Sequence, residues 1–241
     1  MRFTSKIFLA AVVLWLPNVT FGAELKLWYQ QPATQWNQCL PVGNGRLGAM
    51  VHGGVEQELL QLNEDTVWSG NQSDFDRVGA HQHLPEIRRL LFAGRYAEAD
   101  ALVAKEILGS RPPGAYQPLG DLILKFVGAG EVSNYRRELD LETAIARVQF
   151  RQGDAVFTRE VFVSAPAQVL VVRLTCNKPR RISLTASLSR KEGAQTESLG
   201  DSGLILRGQA DQGKPTAGVR FAAQLRAVVE DGRVQIHPRS A

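Results

Sequence analysis

Val219-Arg220-Phe221-Ala222-Ala223-Gln224-Leu225-Arg226-Ala227-Val228-Val229 is the stretch that decides the fold. Its apolar side chains fall at 219, 221, 223, 225, 227 and 229, with Arg220, Gln224 and Arg226 between them. A period of two places one set on a buried face and the other in water, which predicts a long strand in an antiparallel sheet. The same rhythm fills the sequence back to Pro118. Leu122, Leu124 and Phe126 alternate, as do Tyr135, Arg137, Leu139 and Leu141, and then Ala144, Ala146, Val148 and Phe150 up to a turn at Gly153-Asp154. Further strands are predicted at 156–163, 169–174, 182–188 and 204–206. Turn signals recur at short intervals, which favours an antiparallel sandwich.

Before Pro118 the pattern changes. Short strands are predicted at 25–29, 46–51 and 55–62, the last two joined by a hairpin through Gly53-Gly54. Residues 70–83 are polar and turn-rich. Leu84, Ile87, Leu90 and Leu91 then take helical spacing, with Pro85 suited to a first turn, and after Gly94 so do Tyr96, Ala99, Val103 and Ile107. Gly109 and Pro112-Pro113-Gly114 stop the second helix. The predicted class is all-β, an antiparallel sandwich with a two-helix insertion.

Residues 1–22 stand apart. Arg2 and Lys6 precede the apolar run 7–16, and Thr20 and Gly22 are small residues before Ala23. That is the pattern of a cleavable signal peptide cut after Gly22, and the run is short for a membrane span. The expectation is a secreted or periplasmic protein with a mature domain at 23–241 and no membrane segment. Removing Arg2 and Lys6 takes the formal net charge from +4 to +2. Arg136-Arg137 and Arg180-Arg181 are isolated pairs without interleaved aromatics, so no nucleic-acid partner is expected. Cys39 and Cys176 lie in no metal-binding spacing, and each reads as a small buried thiol, although an exported protein permits them to pair.

Several local patterns suggest chemistry and fail on context. Gly43-Asn44-Gly45-Arg46-Leu47-Gly48 fits GxGxxG, but Pro41 precedes it and a β-like run follows where a phosphate-binding helix is required. Gly200-Asp201-Ser202-Gly203 matches a serine-protease nucleophile segment. None of His52, His81, His83 or His237 has the setting of its partner base, so the segment reads as a β-turn. His81-Gln82-His83, even with Asp74 and Asp76 near, lacks a zinc spacing, and neither metal nor cofactor is expected. Glu64 and Asp65 are neighbours in an extended segment. They point to opposite faces and do not make the facing carboxylate pair of a glycosidase; Asp65 reads as holding a turn with Thr66. Trp36 and Trp68 offer flat faces to a sugar, although core packing is the reading burial habits favour.

Trp36-Asn37-Gln38-Cys39-Leu40-Pro41-Val42-Gly43-Asn44-Gly45-Arg46-Leu47-Gly48-Ala49-Met50 resembles the opening signature of glycoside hydrolase family 95, which usually has alanine at Cys39. The resemblance continues through 61–70 (QLNEDTVWSG), 116–122 (YQPLGDL), 135–141 (YRRELDL), 157–162 (FTREVF) and 218–221 (GVRF). It implies a β-super-sandwich that in complete members precedes a linker and an (α/α)6 barrel. That barrel holds the general acid and the asparagine-assisted base of an inverting hydrolysis of terminal α-L-fucosyl linkages. No motif of the barrel occurs here, so no catalytic residue is carried over.

The polar loops 44–46 and 63–68 leave two readings open. In one, Asn44, Arg46, Asn63, Glu64 and Trp68 face the barrel and shape the substrate pocket or the domain interface. In the other, Asn44-Gly45 makes a tight turn and Asn63 caps a bend. The functional expectation is the N-terminal domain of an α-L-fucosidase-like enzyme, inactive alone, whose glycan is engaged through the absent barrel. The alternative is a stand-alone module binding carbohydrate or a partner protein.

Overall fold

The computed structural model describes residues 25–70, 76–108, 114–128, 130–211 and 218–236. Residues 1–22, where a signal peptide is expected, Asp74 and the Pro112-Pro113 stop lie outside them.

Thirteen strands and two helices are formed by the described residues: β1 (Lys26–Tyr29), β2 (Leu40–Gly43), β3 (Leu47–Val51), β4 (Gln57–Glu64), α1 (Leu84–Phe92), α2 (Tyr96–Glu106), β5 (Gly120–Phe126), β6 (Val132–Asp140), β7 (Ile145–Gln152), β8 (Ala155–Ser164), β9 (Val169–Cys176), β10 (Leu184–Ser189), β11 (Ala194–Leu199), β12 (Gly203–Gln209) and β13 (Arg220–Arg226). They make three antiparallel sheets: β1-β6-β7-β8-β9, β10-β5-β4-β3-β2, and β11-β12-β13.

The first two sheets face each other. Leu40, Val42, Ala49, Val51, Leu60, Leu122 and Leu124 pack from one side against Leu139, Ala146 and Val161 from the other. Each fully buried leucine contributes roughly 2 kcal/mol by leaving water. The third sheet closes on the β10 side, where Leu206 joins the same core and the Thr196 hydroxyl donates to Leu188 O at 2.8 Å. On the outer face of the first sheet, Glu138, Arg147, Glu160 and Arg173 are directly paired across β6, β7, β8 and β9. This row of alternating charge marks a wetted face.

The all-β class with a helical insertion is what the periodicity predicts. Three details differ. β2 and β11 were not predicted. The last strand pairs only to Arg226, leaving Val228 82% exposed. Cys39 is buried, but Cys176 is only half-buried, and both are free thiols.

Charged side chains also lie between the sheets. Arg159 of β8 reaches Glu58 of β4 at 3.2 Å, donates to Gly54 O and to Val55 O, and lies 3.8 Å over the Phe126 ring. Glu58 accepts the Gly53 N–H at 2.7 Å. Burial pushes the Glu58 carboxyl up, against the pull of Arg159. Arg137 is equally buried and donates to Gln31 O and Gln38 O, each at 2.7 Å. Gly53 sits at φ +78°, and a Cβ there would stand 2.6 Å from the Tyr135 hydroxyl, so this close turn requires glycine.

Candidate functional site

The five residues singled out in the sequence meet at one end of the sandwich. Asn44-Gly45-Arg46 is the turn of the β2–β3 hairpin. The Asn44 Oδ1 accepts the N–H of Arg46 at 3.1 Å and of Leu47 at 2.8 Å, while Gly45 takes φ +94°. Asn44 Nδ2 also crosses to Ser164 O at 3.2 Å, fastening this turn to the facing sheet. The GxGxxG pattern is therefore a β-hairpin, with strands on both sides.

Arg46 projects toward the end of β4, where its Nε donates to Glu64 Oε1 at 3.0 Å. The other carboxylate oxygen of Glu64 accepts the Thr66 N–H at 2.9 Å and the Thr66 hydroxyl at 2.6 Å. Burial alone would raise the Glu64 pKa. The Thr66 and Arg46 hydrogen bonds overcome that and hold it below the ordinary glutamate range. Glu64, not Asp65, thus holds the turn with Thr66. Asp65 points outward, and its carbonyl accepts the Trp68 indole N–H at 3.1 Å.

Trp68 and Tyr116 meet edge to face, ring centroids 5.4 Å apart, and the Tyr116 hydroxyl donates to Glu64 O at 3.0 Å. The Asn63 side chain hydrogen-bonds that same hydroxyl, so Asn63 supports an aromatic ring from within β4 and caps no bend. Trp68 is 46% exposed, Tyr116 40% and Trp36 62%. The packing expected for the tryptophans is corrected: both are exposed outside the sheets that form the core, Trp68 on the segment after β4 at the rim of this corner and Trp36 in a one-turn helix before β2, at the other end of that strand. Below the rim, Val67, Leu119 and Ala210 form a small second core. Arg190 donates there to Gln117 and lies 4.4 Å over the Phe221 ring.

Tyr116 and Arg190 were not singled out in the sequence, and Thr66 was read only as a turn partner of Asp65. Tyr116 had a signal, since it opens YQPLGDL, one of the stretches that carry the family resemblance. Arg190 had none: its partner lies 73 positions away.

Other candidate patterns resolve locally. Gly200–Ser202 is the turn between β11 and β12. His81 and His83 lie in a one-turn helix, where His83 Nε2 approaches Glu106 at 3.6 Å. Among the described residues no three His, Cys, Asp or Glu side chains gather as metal ligands.

This corner offers exposed aromatic faces, an Arg46 side chain that is 56% exposed and a carboxylate whose oxygens are already engaged. Such a set does not present an acid and a base across a sugar.

A sandwich of three antiparallel sheets with a built loop corner at one end is the class, an N-terminal domain of a glycoside hydrolase. The chain belongs to the family described as glycosyl hydrolase family 65, N-terminal domain, whose model matches residues 27–240. That family shares its kind of fold with family 95, the label the sequence resemblance suggested. Over 166 residues the chain is 42% identical to Alpha-L-fucosidase 2 of Arabidopsis thaliana, covering 68% of this chain and 20% of that protein. Over 171 residues it is 34% identical to Probable alpha-fucosidase A of Aspergillus niger, covering 65% of this chain and 21% of the relative. The chain thus spans about a fifth of the length of these relatives.

Proposed function

We propose that this chain is the N-terminal sandwich of an exported glycoside hydrolase whose complete form releases terminal α-L-fucosyl residues with inversion. In this reading residues 1–22 are a signal peptide removed after Gly22. The Asn44–Arg46 and Asn63–Trp68 loops are the surface on which the catalytic domain seats, shaping the pocket or the interface. The names of the relatives support the substrate class. The observation that carries the division of labour is the Glu64 carboxylate: both its oxygens are taken by Arg46 and Thr66, so this corner has a scaffold's chemistry.

The test is an assay of fucose release from a fucosylated oligosaccharide by the full chain, alone and mixed with a separately expressed catalytic domain from a relative. No release alone is expected. Release abolished by changing one carboxylate of this chain would overturn the reading. N-terminal sequencing of exported protein is expected to begin at Ala23, and an intact Met1 would remove the export claim.

The exposed Trp36 and Trp68 rings favour a second reading, a stand-alone module that holds carbohydrate. Saturable glycan binding lost in Trp68→Ala, with no catalytic domain encoded downstream, would select it.

A further inference from the structure

At the end of the sandwich opposite the Trp68 corner, the two large sheets splay apart around a cavity of about 560 Å³. The whole of β4 separates the two places, roughly 25 Å of strand at about 3.3 Å per residue. The volume falls within the roughly 300–1,000 Å³ of small-molecule sites. Phe126, Phe150 and Phe157 line the interior, the last two stacked with centroids 5.3 Å apart. The buried Arg159 lines it too, but its guanidinium is committed to Glu58, Gly54 O and Val55 O, so it supplies no free anion hook.

The mouth is polar. Glu56, Glu131, Asp154 and Arg181 surround it, with Arg181 held to Asp154 at 3.0 Å, and Gln152 on the wall donates to Gly130 O at 3.3 Å. The three carboxylates face two cations, Arg181 and Lys178, and both cations are drawn to Asp154, Lys178 at 3.6 Å, so the mouth carries no excess positive charge for an anion. A wholly apolar occupant would strip water from these carboxylates without replacing its hydrogen bonds. The occupant that fits is neutral, with C–H faces for the phenyl rings and hydroxyls for Asp154, Gln152 and Arg181.

We infer that this cleft is a binding site for a neutral pyranoside, formed by Phe157 and its aromatic neighbours inside and by Gln152 and Asp154 at the mouth. The inference does not rest on the fucosidase reading. It places a second glycan contact far from the corner where a catalytic domain would seat.

The test is an NMR titration of the full chain with methyl α-L-fucoside and with lactose at millimolar concentrations. Saturable amide shifts at Gln152, Asp154 and Phe157 are expected for at least one sugar. Gln152→Ala is expected to weaken binding about tenfold, the scale of one lost hydrogen bond. Phe157→Ala is expected to abolish binding, and if that variant does not fold, Gln152→Ala and Asp154→Ala decide alone. Absence of saturable shifts, shifts confined to the Trp68–Tyr116 corner, or unchanged affinity in Gln152→Ala and Asp154→Ala would each overturn the site.

Discussion

Glu64 accepts three hydrogen bonds on two oxygens, while its partner Arg46 stands half in water. The two ends of this one ion pair should therefore respond differently to mutation. Glu64→Ala strands the Thr66 N–H and hydroxyl and is expected to cost about 1–3 kcal/mol in denaturant unfolding. Arg46→Ala removes an exposed partner and is expected to cost less than about 1 kcal/mol. That difference makes Arg46 the sharper probe of function. In a complete enzyme, Arg46→Ala is expected to lower kcat/KM without moving Tm, and unchanged activity would return the loop to a purely structural role. The pH response has a definite sign. The folded-state pKa of Glu64 lies below its unfolded value. Its contribution is therefore full above the unfolded carboxylate pKa and fades as pH falls through the folded value. Wild type is expected to lose its stability advantage over Glu64→Gln below about pH 4, near the reference glutamate pKa, as followed by unfolding curves across that range.

The strands of the core announce themselves because one buried face imposes a period of two, and β5 through β9 are legible for that reason. β2 and β11 lack the signal. β2 is Leu40-Pro41-Val42-Gly43, and its proline is tolerated because β2 is an edge strand. β11 is largely polar and also lies at an edge. The alternation of the last strand runs on to Val229, but its ladder stops where β12 begins at Gly203, so the partner and not the pattern sets its end. The corner residues were legible as polar insertions between apolar runs. The buried charges were not, since a charge becomes burial-competent only through partners distant in sequence. Glu58 and Arg159 are 101 positions apart and tie β4 to β8 across the sandwich. Removing one of them leaves the other buried and unpaired, so Arg159→Met is expected to cost about 3–5 kcal/mol. The double variant Arg159→Met with Glu58→Leu is expected to recover part of that loss in a double-mutant cycle. Additive losses would show that the two side chains act independently.

At the scale of the whole molecule, the helices look like cargo on the sandwich. α1 and α2 pack on each other through Ile87, Leu90 and Ala99, and α1 also packs on the one-turn helix before it; among the described residues no strand is a substantial partner of either. Phe92 is 91% and Tyr96 68% exposed, so the hairpin leaves apolar surface for something other than its own sheets. The two ends of the insertion nonetheless meet. A Cβ on Gly70 would lie 3.3 Å from the Gly114 Cα, and Ser69 and Ala115 exchange hydrogen bonds of 2.9 and 2.8 Å. A segment that enters and leaves at one point and buries little against the core can be removed without opening the core. Replacing residues 71–113 by a two-residue turn is therefore expected to leave a folded sandwich whose Tm lies within about 5 °C of the parent, a shift equivalent to about 2 kcal/mol for a domain of this size. The same deletion is expected to reduce binding of an apolar dye, because the exposed Phe92 and Tyr96 rings go with it. Loss of the cooperative transition in the shortened chain would mean that the helices hold the sheets together, and the insertion would have to be reassigned from appendage to core.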